Sequence, residues 1–430
     1  MALNLLYLFA ALLALPWVAW RRLSGRRPVA APWIRFTGAI GPLPVAKAPR
    51  IWLHGVSVGE VQLLAGLAAE ISRQADAAGG SVDCVISSST TTGLEVAAKR
   101  FGSDRAFPCP LDFTWAMNRV LDRVRPDLVV LGELELWPNM LACVARRGIP
   151  IVVANARMSE RSAAGYARIA PLARRMLGRV DAVAARSPDD AARFTALGAP
   201  NVVVAGSMKF DGVRGDREAP DVARLRALAG FDAHDTVFLA GSTQEPEERL
   251  ALEAFCALNE SHPRLRLVIV PRHVERAAEI AALLDGSGMR WQRRSRLDAD
   301  GADPAARILL VDTTGELSAW WGTAAIAFVG GSLDGKRGGQ NMLEPAAYGA
   351  AVCFGPHTRN FTREVETLLA ANAACVVADG AALHAFVHRC LAEPAWARAL
   401  GSRAAATVAA HRGATATTAR LILERLPSTP

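Results

Sequence analysis

Cysteine is sparse in this chain. There are seven (Cys84, Cys109, Cys143, Cys256, Cys353, Cys375, Cys390) in 430 residues, odd in number and never spaced as Cys-x-x-Cys. That pattern fits reduced thiols in a cytosolic body rather than a disulfide framework. No Walker P-loop and no Gly-x-Gly-x-x-Gly follows any apolar run, which removes support from ATPase and NAD-enzyme readings. There is no His-Glu-x-x-His either. The one i,i+4 histidine pair, His384 and His388, has no carboxylate partner and reads as an ordinary helix face. Acidic residues are missing from the first fifty positions, which hold seven bases (Arg21, Arg22, Arg26, Arg27, Arg35, Lys47, Arg50). The other 380 residues carry 42 bases against 41 acids, so the net charge of +8 is one local block and not a nucleic-acid footprint. With 51% hydrophobic and 21% charged residues the chain can bury a large core, and its length suits two large domains or three ordinary ones.

Leu3 to Trp20 is an uncharged run of 18 residues, broken only by Asn4, Tyr7 and Pro16. As a helix it reaches about 27 Å, enough for a thin bilayer. MALN precedes it and RRLSGRR follows, the reverse of a cleaved signal peptide. The positive-inside rule then places the globular body in the cytoplasm, with the basic block against anionic headgroups. A spanning helix and a half-buried monotopic one both fit. The sequence thus predicts an N-terminal membrane anchor over residues 1–22, a basic juxtamembrane segment over 23–49, and a location on the cytoplasmic face of the inner membrane.

From Arg50 onward, short apolar runs end in Gly, Ser, Asn or Pro and alternate with Ala/Arg/Leu-rich helical stretches. They are RIWLHGVS, VDCVISSST, PDLVVLGE, IPIVVANA, VDAVAARS and NVVVAGS in one half. DTVFLAGST, RLRLVIVPR, ARILLVDTTGE, AIAFVGGS and AAVCFGP follow in the other, with a twelfth at ACVVAD. Unalternating runs separated by helices indicate parallel sheets covered on both faces. So many strands exceed one comfortable open sheet. The fold class expected is α/β, with two doubly wound Rossmann-like domains facing a cleft. The N-terminal domain spans 50–210, a polar linker 211–221, and the C-terminal domain 222–430, including a terminal helix near Arg403–Arg425.

In such sheets ligands sit at the carboxyl ends of strands. Three junctions there share one pattern: Ser57-Val-Gly-Glu60, Ser242-Thr-Gln-Glu245 and Asn341-Met-Leu-Glu344. Each equally spells a capping box. Glu60 follows HGVSVG, whose glycines open space beside the carboxylate. Glu344 follows GGSLDGKRGGQN, a loop whose backbone a phosphate can approach closely. Glu133 and Glu135 in GELELWPN place two carboxylates side by side. Arg272 in VPRHVER follows a buried strand, where a guanidinium suits a phosphate. Lys209 in GSMKFD sits before the linker. The sole Asp-x-Asp, Asp298 and Asp300, lies in an Arg-rich loop rather than at a strand end. These residues together describe an anchored two-domain enzyme of the metal-independent glycosyltransferase kind. A UDP-sugar enzyme of the same architecture, an epimerase and a non-catalytic nucleotide-binding relative remain open from the residues alone.

The strings HGVSVGE, GELELWPN, IPIVVANARMSERSAAGYA, ALGAPNVVVAGSMKFD, VPRHVER, DTTGEL and FVGGSLDGKRGGQNMLEPAAYGAAVCFGPHTRNF occur in that order over most of residues 50–361. Together they resemble the 3-deoxy-D-manno-octulosonic acid (Kdo) transferase family of lipopolysaccharide assembly. The resemblance implies a GT-B fold, CMP-Kdo as donor, a lipid A precursor (lipid IVA) as acceptor, inversion at the anomeric carbon, and no metal or other cofactor. Carried over by position, Glu60 resembles the family's general base, and Glu133 and Lys209 its transition-state stabilisers. Pro271, Arg272, Thr314, Gly315, Glu316, Asn341, Met342, Leu343 and Glu344 match its CMP-binding segments. The chain departs from the family in reading Ser242-Thr-Gln-Glu-Pro-Glu-Glu248 where S-T-H-x-G-E-E is usual, and GGQN where GGHN is common.

Overall fold

The computed structural model describes residues 3–9, 13 and 31–427. It divides into two units, residues 1–212 with 412–430, and residues 213–411. The first unit holds β1 (Arg50–Gly55), β2 (Asp83–Ser88), β3 (Ala106–Pro108), β4 (Leu128–Gly132), β5 (Ile151–Ala156), β6 (Ala182–Ala185) and β7 (Val202–Val204). All pair in parallel, in the order β3-β2-β1-β4-β5-β6-β7. The second holds β8 (Thr236–Thr243), β9 (Leu265–Pro271), β10 (Trp291–Arg293), β11 (Ile308–Leu310), β12 (Ile326–Val329), β13 (Ala351–Phe354) and β14 (Cys375–Val376). These too are all parallel, in the order β10-β11-β9-β8-β12-β13-β14.

The unalternating runs become central strands because both faces of each sheet are covered. In the first sheet Trp52, Val129, Leu131 and Val153 feed one core, while Ile51, Leu53, Val130 and Val152 feed the other, as the period of two requires. Each such buried side chain contributes about 1.5–3 kcal/mol. All twelve apolar runs form strands. The two strands without an apolar run, β3 and β10, are three-residue edge strands only partly buried, so no hydrophobic signal marks them.

The chain's end does not stay with the second unit, contrary to the expected 222–430 domain. Helix Ala414–Leu423 packs on helix Val58–Ala77, where Ala414, Ala419 and Ile422 join the core of Val61 and Leu64. Asp211 fastens this return: its carboxylate accepts the N–H groups of Gly413 and Thr415, both at 2.6 Å. Nor is 211–221 a free linker. Arg217 donates to the carbonyls of Tyr348, Gly322 and Ala324 at 2.7–2.8 Å, which ties the segment into the second unit.

Most of the expected anchor, residues 10–12 and 14–22, lies outside the described residues, as does the basic stretch 23–30. Among the described residues no helix is long and apolar enough to cross a membrane.

Strand order places the chemistry. Each sheet reverses winding direction once, at β1/β4 in the first unit and β8/β12 in the second, and such switch points open crevices at the strands' carboxyl ends.

Candidate active site

Glu60 and Glu133 flank the first switch point. Ser57 caps helix Val58–Ala77, its Oγ accepting the Glu60 N–H at 3.3 Å. In return Glu60 Oε1 accepts from the Ser57 hydroxyl at 2.8 Å, and Oε2 from the Val56 N–H at 2.9 Å. The capping box therefore forms, yet the carboxylate stays half-exposed and keeps lone pairs for a further donor. Two glycines leave room for it. A β-carbon on Gly55 would lie 3.1 Å from Glu60 Cβ, and one on Gly132 3.6 Å from Oε2.

Glu133 follows β4 with φ of 53°, a left-handed backbone unusual for a non-glycine residue, while its N–H bonds the Ala154 carbonyl at 2.9 Å. Burial pushes its carboxyl above the ordinary range and the Glu60 charge adds to this, against the pull of Arg186, Lys209 and Arg157. Glu135 is raised too, by burial first, although the Trp137 indole N–H donates to it at 2.8 Å. Arg157 follows β5, Arg186 follows β6, and Lys209 lies in the turn Met208–Phe210 after β7. Along the order β1-β4-β5-β6-β7, then, two carboxylates are succeeded by three cations at the same edge. Asn155 fixes the last of these by accepting the Met208 N–H on Oδ1 at 3.1 Å.

The structure thus gathers Glu60, Glu133 and Lys209, the three residues to which the resemblance gives catalytic roles, with Glu135 beside them. Arg157, Arg186 and Asn155 were not singled out. Their only signal is position, at or just past the end of a Val/Ala-rich strand. His54 in HGVSVGE is fully buried, its Nδ1 2.9 Å from Ser87 Oγ, and burial pulls its pKa down to about 4. The ring is neutral at ordinary pH and belongs to the scaffold of the loop.

In the second unit the nucleotide-site candidates come from the ends of β11, β9 and β12. Thr314 and Gly315 form an exposed turn. Glu316 beside it takes a two-pronged bond from Arg294 at 2.8 and 2.9 Å and one from Thr313 at 2.7 Å. Burial raises its carboxyl, but these bonds outweigh that and hold it below the ordinary range. Arg294 also pairs with Asp298 at 2.6 Å, so the first acid of the Asp-x-Asp motif is engaged in an i,i+4 ion pair on its own helix. Pro271 ends β9, and Arg272 is exposed, its guanidinium making no hydrogen bond or ion pair among the described residues. Asn341 accepts the Leu343 N–H at 3.2 Å and donates to Glu344 at 3.1 Å. Burial pushes the Glu344 carboxyl up. Met342 and Leu343 are fully buried.

Two expectations change here. Ser242 caps no helix, because the helix begins later, at Glu247–Leu258, and Ser242 itself has a left-handed backbone. The glycine-rich loop also spends its first amides internally. Glu247 Oε2 accepts the N–H groups of Gly331 (2.7 Å) and Gln244 (2.9 Å), and Oε1 those of Ser332 (3.0 Å) and Leu333 (3.2 Å). This carboxylate occupies the nest of N–H groups at the β8/β12 switch point, where the loop whose backbone a phosphate was expected to approach begins. The glycines further on serve close packing: a β-carbon on Gly338 would meet Arg359 Cγ at 2.6 Å. Among the described residues no group of three or more His, Cys, Asp or Glu is placed to hold a metal.

Residues 33–212 match the family model described as 3-Deoxy-D-manno-octulosonic-acid transferase (kdotransferase). Over 416 residues the chain is 36% identical to the 3-deoxy-D-manno-octulosonic acid transferase of Bordetella pertussis, covering 93% of this chain and 92% of that one. The chain belongs to the Kdo transferase family. The transferase of the same name from Haemophilus influenzae is 34% identical over 315 residues, 72% of this chain and 71% of its own. Among solved structures, the UDP-GlcNAc 2-epimerase of Neisseria meningitidis superposes with a TM-score of 0.57 at 13% identity, over 88% of this chain and 99% of that one. A glycosyltransferase of Rickettsia africae gives 0.53 at 12%, over 89% and 100%. These likenesses show the GT-B-like fold and nothing finer.

For a Kdo transferase, the first unit offers a half-exposed proton acceptor beside a carboxylate whose charge is opposed by three cations. The second offers an uncommitted guanidinium at a strand end, with hydrogen-bonding groups on neighbouring strand ends.

Proposed function

We propose that this glycosyltransferase moves Kdo from CMP-Kdo to a sugar hydroxyl of a lipid A precursor, lipid IVA, with inversion and without a metal or other cofactor. The acceptor oxygen attacks the anomeric carbon as its proton passes to Glu60. The bond from that carbon to the CMP phosphate oxygen breaks, and CMP departs with the electron pair. A positioned base of this kind supplies roughly 10²–10⁴ in rate. Glu133 stabilises the cationic sugar of the transition state, and Lys209 tempers the charge around it.

On the donor side Arg272 takes the departing phosphate. Pro271, the turn Thr314–Gly315, Glu316, and the segment Asn341, Met342, Leu343 and Glu344 hold the rest of CMP. The N-terminal run and its basic block keep the enzyme at the cytoplasmic face of the inner membrane, against lipid headgroups. The observation that carries the reading is the meeting of Glu60 and Glu133 at the β1/β4 switch point in a member of this family. Mass spectrometry of lipid products after incubation with CMP-Kdo and lipid IVA tests it. The expected result is a lipid heavier by Kdo units, with CMP released. Unmodified lipid, together with thermal stabilisation by UDP and none by CMP, contradicts it.

A further inference from the structure

The helical residues 3–9 of the first unit are amphipathic in the inverse sense. A surface helix of a water-soluble domain turns its apolar face inward. Here the polar residues turn inward instead: Asn4 is 8% exposed, while Leu5, Leu6, Phe9 and the nearby Leu13 are between 59% and 68% exposed. Asn4 Nδ2 donates to Thr114 Oγ1 at 2.7 Å, and its Oδ1 accepts from Asn139 Nδ2 at 3.0 Å. The Tyr7 hydroxyl donates to Asp112 Oδ2 at 3.0 Å, and its ring meets Phe113 edge-on at 5.9 Å. Asp112 is the cap of helix Pro138–Ala145, accepting the N–H groups of Asn139 (3.0 Å) and Met140 (2.8 Å). That helix starts where the Glu133–Trp137 stretch ends, so Asn4 and Tyr7 sit in the cap of the element that follows the two carboxylates.

We propose that Asn4 and Tyr7 latch residues 3–9 to the cap of helix Pro138–Ala145 while Leu5, Leu6, Phe9 and Leu13 sit in the surface of an anionic phospholipid bilayer. Bilayer contact then fixes the Glu133–Trp137 stretch as well as holding the enzyme in place. Charge agrees with this occupant: seven bases and no acid precede Glu60. So does Trp33, which is 73% exposed beside Phe36, an amphipathic ring of the kind that settles at headgroup level. Asn4 and Tyr7 are positioning residues in this scheme. It rests on the proposed lipid acceptor only for its effect on turnover.

The test uses the full chain with vesicles of phosphatidylglycerol and phosphatidylethanolamine. Leu5→Asp with Phe9→Asp is expected to lower vesicle co-sedimentation at least tenfold. Asn4→Ala with Tyr7→Phe is expected to co-sediment as the parent does. In the parent, hydrogen exchange at the Asn139 and Met140 amides slows at least tenfold when vesicles are added, and in the Asn4/Tyr7 variant it does not. The same variant loses kcat on vesicle-borne acceptor while its KM for CMP-Kdo is unchanged, which separates a latch from a misfolded protein. Undiminished sedimentation of the Leu5/Phe9 variant, or equal amide protection in parent and Asn4/Tyr7 variant, overturns the inference. Neither readout needs Kdo transfer, so the inference and the proposed reaction fail separately.

Discussion

Glu60 and Gly132 meet across the paired strands β1 and β4: a β-carbon on Gly132 would lie 3.6 Å from Glu60 Oε2 and 3.2 Å from the His54 carbonyl oxygen. The second distance is tight, and the strand backbone must give by a few tenths of an ångström to relieve it. Gly132→Ala is therefore expected to cost about 1–3 kcal/mol of stability. The added methyl would stand against Glu60 Oε2, in the space a proton-donating hydroxyl needs, and should lower turnover by about a hundredfold. Gly66→Ala, on the helix that carries Glu60 but with nothing within 4 Å of the added carbon, leaves turnover unchanged. Equal activity of the two variants contradicts the placement.

Glu247 satisfies four N–H groups at once, so truncation strands all of them. Glu247→Ala is expected to lose about 3 kcal/mol or more in urea unfolding, the penalty of unpaired buried groups. Glu247→Gln keeps one acceptor oxygen and should fall between. Both variants should bind CMP more weakly, because the loop leading to Asn341 loses its anchor. A Glu247→Ala protein as stable as the parent would remove the clamp from the account.

The strands were legible where burial on both faces makes a continuous apolar run, as in LVVL or IVVA. They were illegible where three residues close a sheet edge. The return of the last helix to the first unit was hidden because an Ala-rich helix carries no address; only the Asp211 carboxylate and the apolar face of helix Val58–Ala77 decide where it packs. In the site, Glu60, Glu133 and Lys209 stood out through motif strings. Arg157 and Arg186 did not, since an arginine after a strand looks like any surface arginine until strand order sets it beside Glu133. Glu247 was hidden for a different reason: it mimics a ligand, and glycine-rich strings look the same whether their amides bind a phosphate or a carboxylate of the same chain.

The buried His54 ring makes stability depend on pH. Its pKa is about 4 in the fold against 6.5 ordinarily, so between these values the unfolded chain binds a proton that the folded one does not. Stability from this group is complete above about pH 6.5 and drains away as the pH falls toward 4, by about 3 kcal/mol. Urea midpoints across pH 7 to 4 should show a shallower fall for His54→Gln than for the parent. Parallel curves would contradict a neutral buried ring.

Lys209 opposes the factors that raise Glu133, burial first and then the Glu60 charge. Lys209→Met should push that carboxyl higher still. The acidic limb of the pH–rate profile then moves to higher pH, because ionised Glu133 is lost as pH falls through its raised pKa. Turnover drops while CMP affinity stays constant, since the proposed donor residues lie in the second unit. A variant with an unshifted acidic limb would detach Lys209 from Glu133.

The most direct measurement is single-turnover Kdo transfer by Glu60→Gln. That side chain keeps an oxygen to accept from Ser57 or Val56 but can no longer take up a proton. The account predicts a loss of about 10²–10⁴ in rate with CMP binding and fold intact. Transfer at the parental rate contradicts it.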